Sequence, residues 1–212
     1  MTAIPPLAAV ATAHRSLNTA LADLTDTAVA GPSLLPDWTR GHVLAHLADA
    51  ARARTRVVEH ALRGEVVAMW EPGERDAIIE ATATRSAAEH RAAVAEQAER
   101  LDRVWAGVED WTGLDSAVEI RWREVWIHLV DLDVGVRPKA WTVDFSLHAV
   151  DFLHTRLPDG FGVRATDVDR VWGTGSEITG AVHDLAAWLA GRVPDEWPSG
   201  SLPELGPWPA YR

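Results

Sequence analysis

The stretch Arg123-Glu-Val-Trp-Ile-His-Leu-Val-Asp-Leu132 carries the strongest structural signal in the sequence, because its apolar residues recur around a helix. Within it, Glu124 and His128 are four residues apart. This spacing puts both side chains on one helical face, with Cβ atoms about 5–6 Å apart. Carboxylate oxygen and imidazole nitrogen are both good ligands for zinc, so the pair can share one metal ion.

The surroundings of this pair favour a metal site, although a Glu-x-x-x-His spacing more often marks a surface ion pair or a satisfied polar contact. Bulky apolar residues flank the pair on the same helix: Trp122, Val125, Trp126, Leu129 and Leu132. A buried ionised carboxylate needs a partner, and a metal ion is a strong one. Asp131, three residues after His128, is either an acceptor that orients this histidine or an exposed helix residue.

His46 is the third ligand that we expect, because a catalytic zinc site has three protein ligands and an open fourth position. It lies on a helix that Asp37 or Thr39 can cap. His42, four residues before His46, could pair with it, but a place in the first helical turn is more typical of a cap or surface residue. The other histidines are expected at the surface or in local hydrogen bonds: His14, His60, His90, His148, His154 and His183.

Apolar periodicity and helix-ending residues predict four helices in the first two thirds of the chain. They cover residues 7–24, the segment from the Asp37 or Thr39 cap to Gly64, residues 74–108 and about 116–134. Helices joined by short loops predict an antiparallel four-helix bundle, here over residues 1–139. The remainder, residues 140–212, reads as a small α+β domain. Its predicted elements are a helix over 145–157, strands over 161–166 and 170–172, and a helix over 177–189.

The composition excludes several function classes. The 212 residues carry a formal net charge of -11, so we expect no nucleic-acid partner. The chain has no cysteine, which excludes disulfides and a cysteine nucleophile, and any thiol chemistry must use a thiol from outside. The first residues lack a signal-peptide pattern, and no apolar run approaches the roughly 20 residues of a membrane helix. We therefore expect a cytoplasmic protein with no membrane partner.

Four segments resemble the mycothiol-dependent maleylpyruvate isomerases, which are DinB-like four-helix bundles that bind zinc. The segments are Leu34-Leu-Pro-Asp-Trp-Thr-Arg-Gly-His-Val-Leu-Ala-His-Leu47, Pro72-Gly-Glu-Arg-Asp76, Arg123-Glu-Val-Trp-Ile-His-Leu-Val-Asp-Leu132 and Gly180-Ala-Val-His-Asp-Leu-Ala-Ala-Trp-Leu-Ala-Gly-Arg192. The resemblance implies a mainly α, DinB-like bundle with His46, Glu124 and His128 as ligands of Zn²⁺ or another divalent metal. It also implies mycothiol as the thiol cofactor.

The same resemblance implies that Arg75 and Arg192 serve the substrate. A guanidinium group is well suited to grip a carboxylate through two hydrogen bonds, which a small dicarboxylate substrate would require in an acidic protein. The alternative is ordinary ion pairing, of Arg75 with Glu71 or Glu74 and of Arg192 with Asp195.

The activity that the resemblance implies is cis–trans isomerisation of maleylpyruvate or a related enoyl dicarboxylic acid. The mycothiol thiolate would add to the cis double bond, the resulting single bond would rotate, and elimination of the thiolate would leave the trans isomer. The alternatives are a mycothiol S-transferase or detoxification enzyme, a metal-dependent hydrolase, and a non-enzymatic, metal-stabilised module that binds a small molecule. The link over residues 109–121 is shorter than expected for the isomerases and leaves the native substrate open.

Overall fold

The structure of the chain, a computed structural model, describes residues 6–210, apart from the side chain of Asp115. These residues divide into two units on either side of the bond between Gly135 and Val136. The sequence pattern predicted this division after residue 139. No helix within the described range is long and apolar enough to cross a membrane.

The first unit consists of helices and their connections. In chain order these are α1 (Leu7–Ala20), α2 (Asp26–Ala30), α3 (Arg40–Ala61), α4 (Glu74–Thr82), α5 (Ala87–Ala106) and α6 (Asp115–Asp131). The long helices form the bundle: α3 packs against α5 and α6, and α1 packs against the same two helices. The predicted four-helix bundle is confirmed. The short helix α2, which the Thr25 side chain caps, was not predicted.

The single helix predicted over residues 74–108 is wrong, because the chain forms α4 and α5 there with a turn between them. Ser86 begins α5. Its side chain accepts a hydrogen bond from the backbone of Glu89, and the Glu89 carboxylate accepts one at 2.8 Å from the Ser86 N–H. This reciprocal capping box starts a new helix. The Ser-x-x-Glu pattern is readable in the sequence, but the prediction of one helix rested on the composition and on the absence of glycine and proline.

The turn between α4 and α5 packs closely against the start of α3. A Cβ atom on Gly41 would lie 2.0 Å from the carbonyl oxygen of Ala83, so only glycine fits at this point of α3. The same carbonyl lies 3.3 Å from Nε2 of the buried His90. Gly41 therefore ties the turn after α4 to the helix that carries His46.

The second unit combines two helices with a small sheet. Its elements are α7 (Val143–Leu153), β1 (Phe161–Ala165), β2 (Val171–Gly173), β3 (Ser176–Gly180) and α8 (Val182–Leu189), with 3-10 turns at Pro138–Ala140 and His154–Arg156. The strand order is β2-β1-β3. Strand β1 pairs antiparallel with β2 and parallel with β3. Helices α7 and α8 pack against each other. The predicted α+β character of this region is confirmed.

The start of the last predicted helix is wrong, because residues 176–180 form the parallel strand β3. Ile178 is buried opposite Val163 of β1, so this apolar side chain gains its burial through strand pairing. The helix begins only at Val182, whose N–H donates to the Asp167 carboxylate at 2.9 Å. Sequence periodicity could not show this pairing, because the partner strand lies fifteen residues earlier in the chain.

Candidate metal centre

The N-terminus of α3 fixes the position of His46. The Thr39 hydroxyl accepts a hydrogen bond from the His42 N–H at 3.4 Å, and the Thr39 N–H donates to Nδ1 of His42 at 3.2 Å. His42 is therefore part of the helix cap, as its place in the first turn indicated. Its Nε2 atom lies 3.7 Å from Glu80, so both of its ring nitrogens face partners other than His46.

The structure brings His46, Glu124 and His128 together, and we refer to these three residues as the candidate metal centre. The Nε2 atom of His46 lies 3.5 Å from Oε1 of Glu124. The ring centroids of His46 and His128 are 4.9 Å apart, and the two rings are nearly perpendicular at 88°. One candidate ligand lies on α3 and two lie on α6, so the packing of these two helices brings the three residues together.

The residues of the candidate metal centre fit a divalent ion. The 3.5 Å separation of the His46 nitrogen and the Glu124 oxygen is long for a hydrogen bond. It is close to the roughly 3.4 Å that separates two ligands of a tetrahedral zinc ion with bonds of about 2.0–2.1 Å. In addition, Nδ1 of His46 is buried and has no hydrogen-bond partner among the described residues.

Asp131 orients the second histidine of the candidate metal centre. Its Oδ2 atom lies 2.9 Å from Nδ1 of His128, which leaves Nε2 of His128 as the nitrogen that can bind a metal ion. Asp131 is only 1% exposed. The alternative that Asp131 is an exposed helix residue is therefore wrong, and the orienting role is the one that the geometry supports.

Two arginines that the sequence analysis did not single out face Glu124. Arg121 donates from Nη1 to Oε2 of Glu124 at 2.8 Å, and Arg54 donates from Nη2 to Oε1 at 3.4 Å. Both guanidinium groups are buried. Spacing offered a weak signal for them, because Arg121 is three residues before Glu124, and Arg54 follows His46 by eight residues, just over two helical turns.

His14 contacts Arg121, and its position contradicts a further expectation. We expected this histidine at the surface or in a local hydrogen bond, but it is 3% exposed. Its Nε2 atom lies 3.0 Å from Nε of Arg121, and its Nδ1 atom lies 3.2 Å from both carboxylate oxygens of Asp102. Nothing in the sequence pointed to these contacts, because the partners are 107 and 88 residues away along the chain.

Burial and neighbouring charges set the protonation states of His46 and Glu124. Burial lowers the pKa of His46 to about 3, although the Glu124 carboxylate acts in the opposite direction. Burial also opposes ionisation of Glu124, but Arg54, Arg121 and His46 together hold the pKa of its carboxyl below the ordinary value. A neutral imidazole therefore lies beside an ionised carboxylate at neutral pH, which is the protonation pattern that metal ligands require.

Arg75, at the start of α4, lies among aromatic rings close to the candidate metal centre. Its guanidinium carbon is 5.8 Å from the ring centroid of Trp38 and 6.0 Å from that of Trp70. The Trp38 ring is in turn 6.0 Å from the ring of His46. Arg75 also donates to its neighbour Asp76 at 2.9 Å. The carboxylate of Glu74, one of the alternative partners of Arg75, is engaged by Arg52 at 3.2 Å.

Arg192 belongs to the second unit, where it follows α8. Its Nη1 atom donates to the carbonyl oxygen of Ala190 at 2.7 Å. Asp195, the alternative partner that the sequence suggested, pairs with Arg137 at 3.2 Å and accepts a hydrogen bond from the backbone of Lys139 at 2.8 Å.

The second unit also contains a group of donor atoms that the sequence analysis did not predict. Potential ligand atoms of His183, Asp184 and Asp195 all lie within 4.8 Å of one another. The carboxylates already have protein partners, however. Asp184 accepts hydrogen bonds from the backbone N–H groups of Asp195 and Glu196 at 2.8 and 3.1 Å. We therefore interpret this group as a network that fixes the chain after α8.

Comparison with known protein families identifies the bundle. Residues 10–133 match the family model described as the mycothiol maleylpyruvate isomerase N-terminal domain. The chain belongs to this family. The family resemblance that the sequence motifs indicated is thus confirmed, and the matched range contains His46, Arg75, Glu124 and His128. Arg192 lies outside it.

Solved structures have the same fold as this member of the isomerase family. The crystal structure of the mycothiol-dependent maleylpyruvate isomerase matches with a TM-score of 0.83 and 22% identity, over 95% of each chain. The crystal structure of a histidine-to-alanine mutant of the mycothiol-dependent maleylpyruvate isomerase matches with a TM-score of 0.83 and 21% identity, again over 95% of each chain. Comparison with curated proteins finds no match.

Proposed function

We propose that the chain is a metal-dependent and mycothiol-dependent cis–trans isomerase that acts on maleylpyruvate or a related enoyl dicarboxylic acid. Membership of the isomerase family supports this proposal. The observation that carries it is the approach of His46 to Glu124 at 3.5 Å beside the His128 ring, in a largely buried site with a partly exposed arginine nearby. This combination suits a metal site that acts on a thiol and a small carboxylate better than it suits a site in which the ion is purely structural.

His46, Glu124 and His128 would hold the ion, for which zinc is the best match to a nitrogen and oxygen ligand set. When bound, such an ion acts as a Lewis acid and favours the thiolate form of a nearby thiol. The chain supplies no thiol of its own, because it contains no cysteine. Asp131 keeps the ring of His128 in one orientation through its 2.9 Å contact.

The charge balance of the site suits anionic reactants. The buried guanidinium groups of Arg54 and Arg121 offset the carboxylates of Glu124 and Asp131, so a bound divalent cation would leave positive charge in excess. Thiolate addition forms a carbon–sulfur bond and moves the electron pair of the double bond onto the conjugated carbonyl oxygen as an enolate. After rotation about the single bond, the pair returns and the carbon–sulfur bond breaks. Positive charge stabilises the enolate.

Arg75 is the residue proposed to bind a substrate carboxylate. Its guanidinium group packs against Trp38 and Trp70, which restricts its position while about a third of the side chain, 37%, stays exposed. A positioned and accessible guanidinium group can form two parallel hydrogen bonds to a carboxylate. Arg192 is proposed for the second carboxylate on the family resemblance alone.

Metal content is the first test of the proposed function. The parent chain, His128→Ala and His60→Ala are purified, supplied with zinc, desalted and analysed for metal. His60 is the matched control, because it pairs with Glu65 at the surface, outside the candidate metal centre. We expect about one ion per chain in the parent and the control and little in His128→Ala. A parent without stoichiometric metal would contradict the proposal.

Turnover tests the second half of the proposal. The metal-loaded parent is incubated with maleylpyruvate in the presence and in the absence of mycothiol, and the trans isomer is measured. We expect product only when the thiol is present. A stable thioether in place of the trans isomer would assign an S-transferase, and thiol-independent cleavage of an ester would assign a hydrolase.

A further inference from the structure

A line of buried and partly buried polar contacts on three helices of the bundle leads to Glu124. It begins at Asp102 on α5, passes through His14 on α1 and reaches Arg121 on α6. Arg121 then donates to Oε2 of Glu124 at 2.8 Å. Arg121 is 0% exposed and is among the largest fully buried side chains of the described residues.

The hydrogen-bond roles along this line are consistent with one tautomer of His14. Its Nδ1–H donates to Asp102, and its Nε2 accepts a hydrogen bond from Nε of Arg121 at 3.0 Å. Burial lowers the pKa of His14, so the ring is neutral and can accept this hydrogen bond. The Nη1 atom of Arg121 also donates to the carbonyl oxygen of Leu47 at 3.0 Å, directly beside His46 on α3. The Arg121 guanidinium group therefore has three hydrogen-bond partners, which are His14, Leu47 and Glu124.

The two oxygens of Glu124 are placed in different surroundings by this arrangement. Oε2 receives the short hydrogen bond from Arg121 at 2.8 Å. Oε1 accepts only a long hydrogen bond from Nη2 of Arg54 at 3.4 Å and lies 3.5 Å from Nε2 of His46. A carboxylate can bind a metal through one oxygen or through both. We propose that Arg121, held by His14 and Asp102, is a positioning residue that keeps Oε2 of Glu124 occupied and makes Glu124 a single-oxygen metal ligand. This inference rests on the metal site of the proposed function.

The cost of burying Arg121 argues against a merely structural role. A fully buried charge loses its hydration, and apolar residues of similar volume often replace buried ion pairs with no loss of stability. Its Nη2 atom is also buried with no hydrogen-bond partner among the described residues, which adds to this cost. Packing alone would be served by an apolar side chain, whereas the arginine also donates a hydrogen bond to Glu124.

The coordination of Co²⁺ tests this inference, because the visible absorption of protein-bound Co²⁺ is intense in four-coordinate sites and weak in sites of higher coordination. Arg121→Met frees Oε2 of Glu124, and His14→Leu removes the acceptor that orients Arg121 without touching Glu124. Arg91→Met and His90→Leu are matched controls. Arg91 donates to the carbonyl oxygen of Leu24 at 2.7 Å, and His90 is equally buried, but neither belongs to this line.

We expect the absorption per bound Co²⁺ to fall in Arg121→Met and, to a smaller extent, in His14→Leu, with the controls unchanged. The affinity for Zn²⁺, measured against a chromophoric chelator, should fall about 10- to 100-fold in Arg121→Met. Circular dichroism of the metal-free proteins checks folding, and His14→Leu alone decides the matter if Arg121→Met does not fold. Unchanged spectra and affinity in a folded variant would overturn the positioning role alone. A parent that binds neither ion would overturn the metal site and this inference with it.

Discussion

Nδ1 of His128 lies 2.9 Å from Oδ2 of Asp131, three residues later in the same helix. The carboxylate is 1% exposed, so water does not compete strongly for it. A buried carboxylate in this position fixes the tautomer and the plane of the ring. Asp131 is therefore expected to strengthen metal binding without touching the ion.

The substitution Asp131→Asn tests this role of Asp131. It keeps the shape of the side chain and removes its charge, so the affinity for Zn²⁺ should fall about 10- to 100-fold in a chelator competition. Asp133→Asn is the matched control, because Asp133 pairs with Arg40 at 3.2 Å and is not part of the candidate metal centre. Equal affinities of the two variants would show that Asp131 has no influence on the ion.

The stability of the metal-free protein should depend on pH through His46. Burial lowers the pKa of His46 to about 3 from 6.5, so below pH 6.5 the unfolded chain takes up a proton that the folded chain does not. The free energy of unfolding should therefore fall as the pH drops from 6.5 towards 3, by up to about 1.4 kcal/mol per pH unit from this group.

Urea denaturation in the presence of a chelator measures this pH effect. The parent should lose stability more steeply than His46→Gln between about pH 6.5 and pH 5, because glutamine cannot take up the proton in either state. The two slopes should differ by the contribution of one proton. Parallel slopes for the parent and the variant would mean that His46 titrates normally in the folded protein.

Replacing Arg75 should weaken substrate binding. A hydrogen bond to a charged group contributes about 1.5–3 kcal/mol, so Arg75→Met should lower kcat/KM about 10- to 150-fold, mainly by raising KM. Steady-state kinetics at saturating mycothiol measures the effect. Arg85→Met, an exposed arginine just beyond the end of α4, is the control and should behave as the parent. A variant with unchanged kcat and KM would remove Arg75 from the substrate site.

The glycine in the first turn of α3 should be indispensable for stability. A Cβ atom at Gly41 would lie 2.0 Å from the carbonyl oxygen of Ala83, so Gly41→Ala must displace backbone, at a cost of at least about 1–3 kcal/mol. Gly107→Ala is the control, because its Cβ atom would meet nothing nearer than 3.5 Å and its φ of -94° is open to alanine. The midpoints of urea denaturation are compared for the two variants. Equal midpoints would show that the turn at Ala83 can move without loss of stability.

Local spacing was enough to predict that the candidate ligands Glu124 and His128 share one helical face. Glu124 and His128 are four residues apart and Asp131 follows three residues later, so any helix over this stretch places them on one face. The sequence offered Asp37 or Thr39 as the cap of the helix that carries His46, and the structure selects Thr39. Errors of the same local kind, such as the missed start of α5 at Ser86, arose where a cap competed with strong helix formers.

The sequence by itself determined the bundle and the position of Glu124 and His128 on one helical face, because helical periodicity depends on neighbouring residues. The composition by itself determined the absence of an internal thiol. Only the tertiary structure decided that Arg121 turns to Glu124 on one side and to His14 on the other. It also decided that the strand β3 pairs with β1. These contacts depend on how each helix is rotated about its axis and which strands come side by side. Packing of the whole core sets that arrangement, and no short stretch of sequence encodes it.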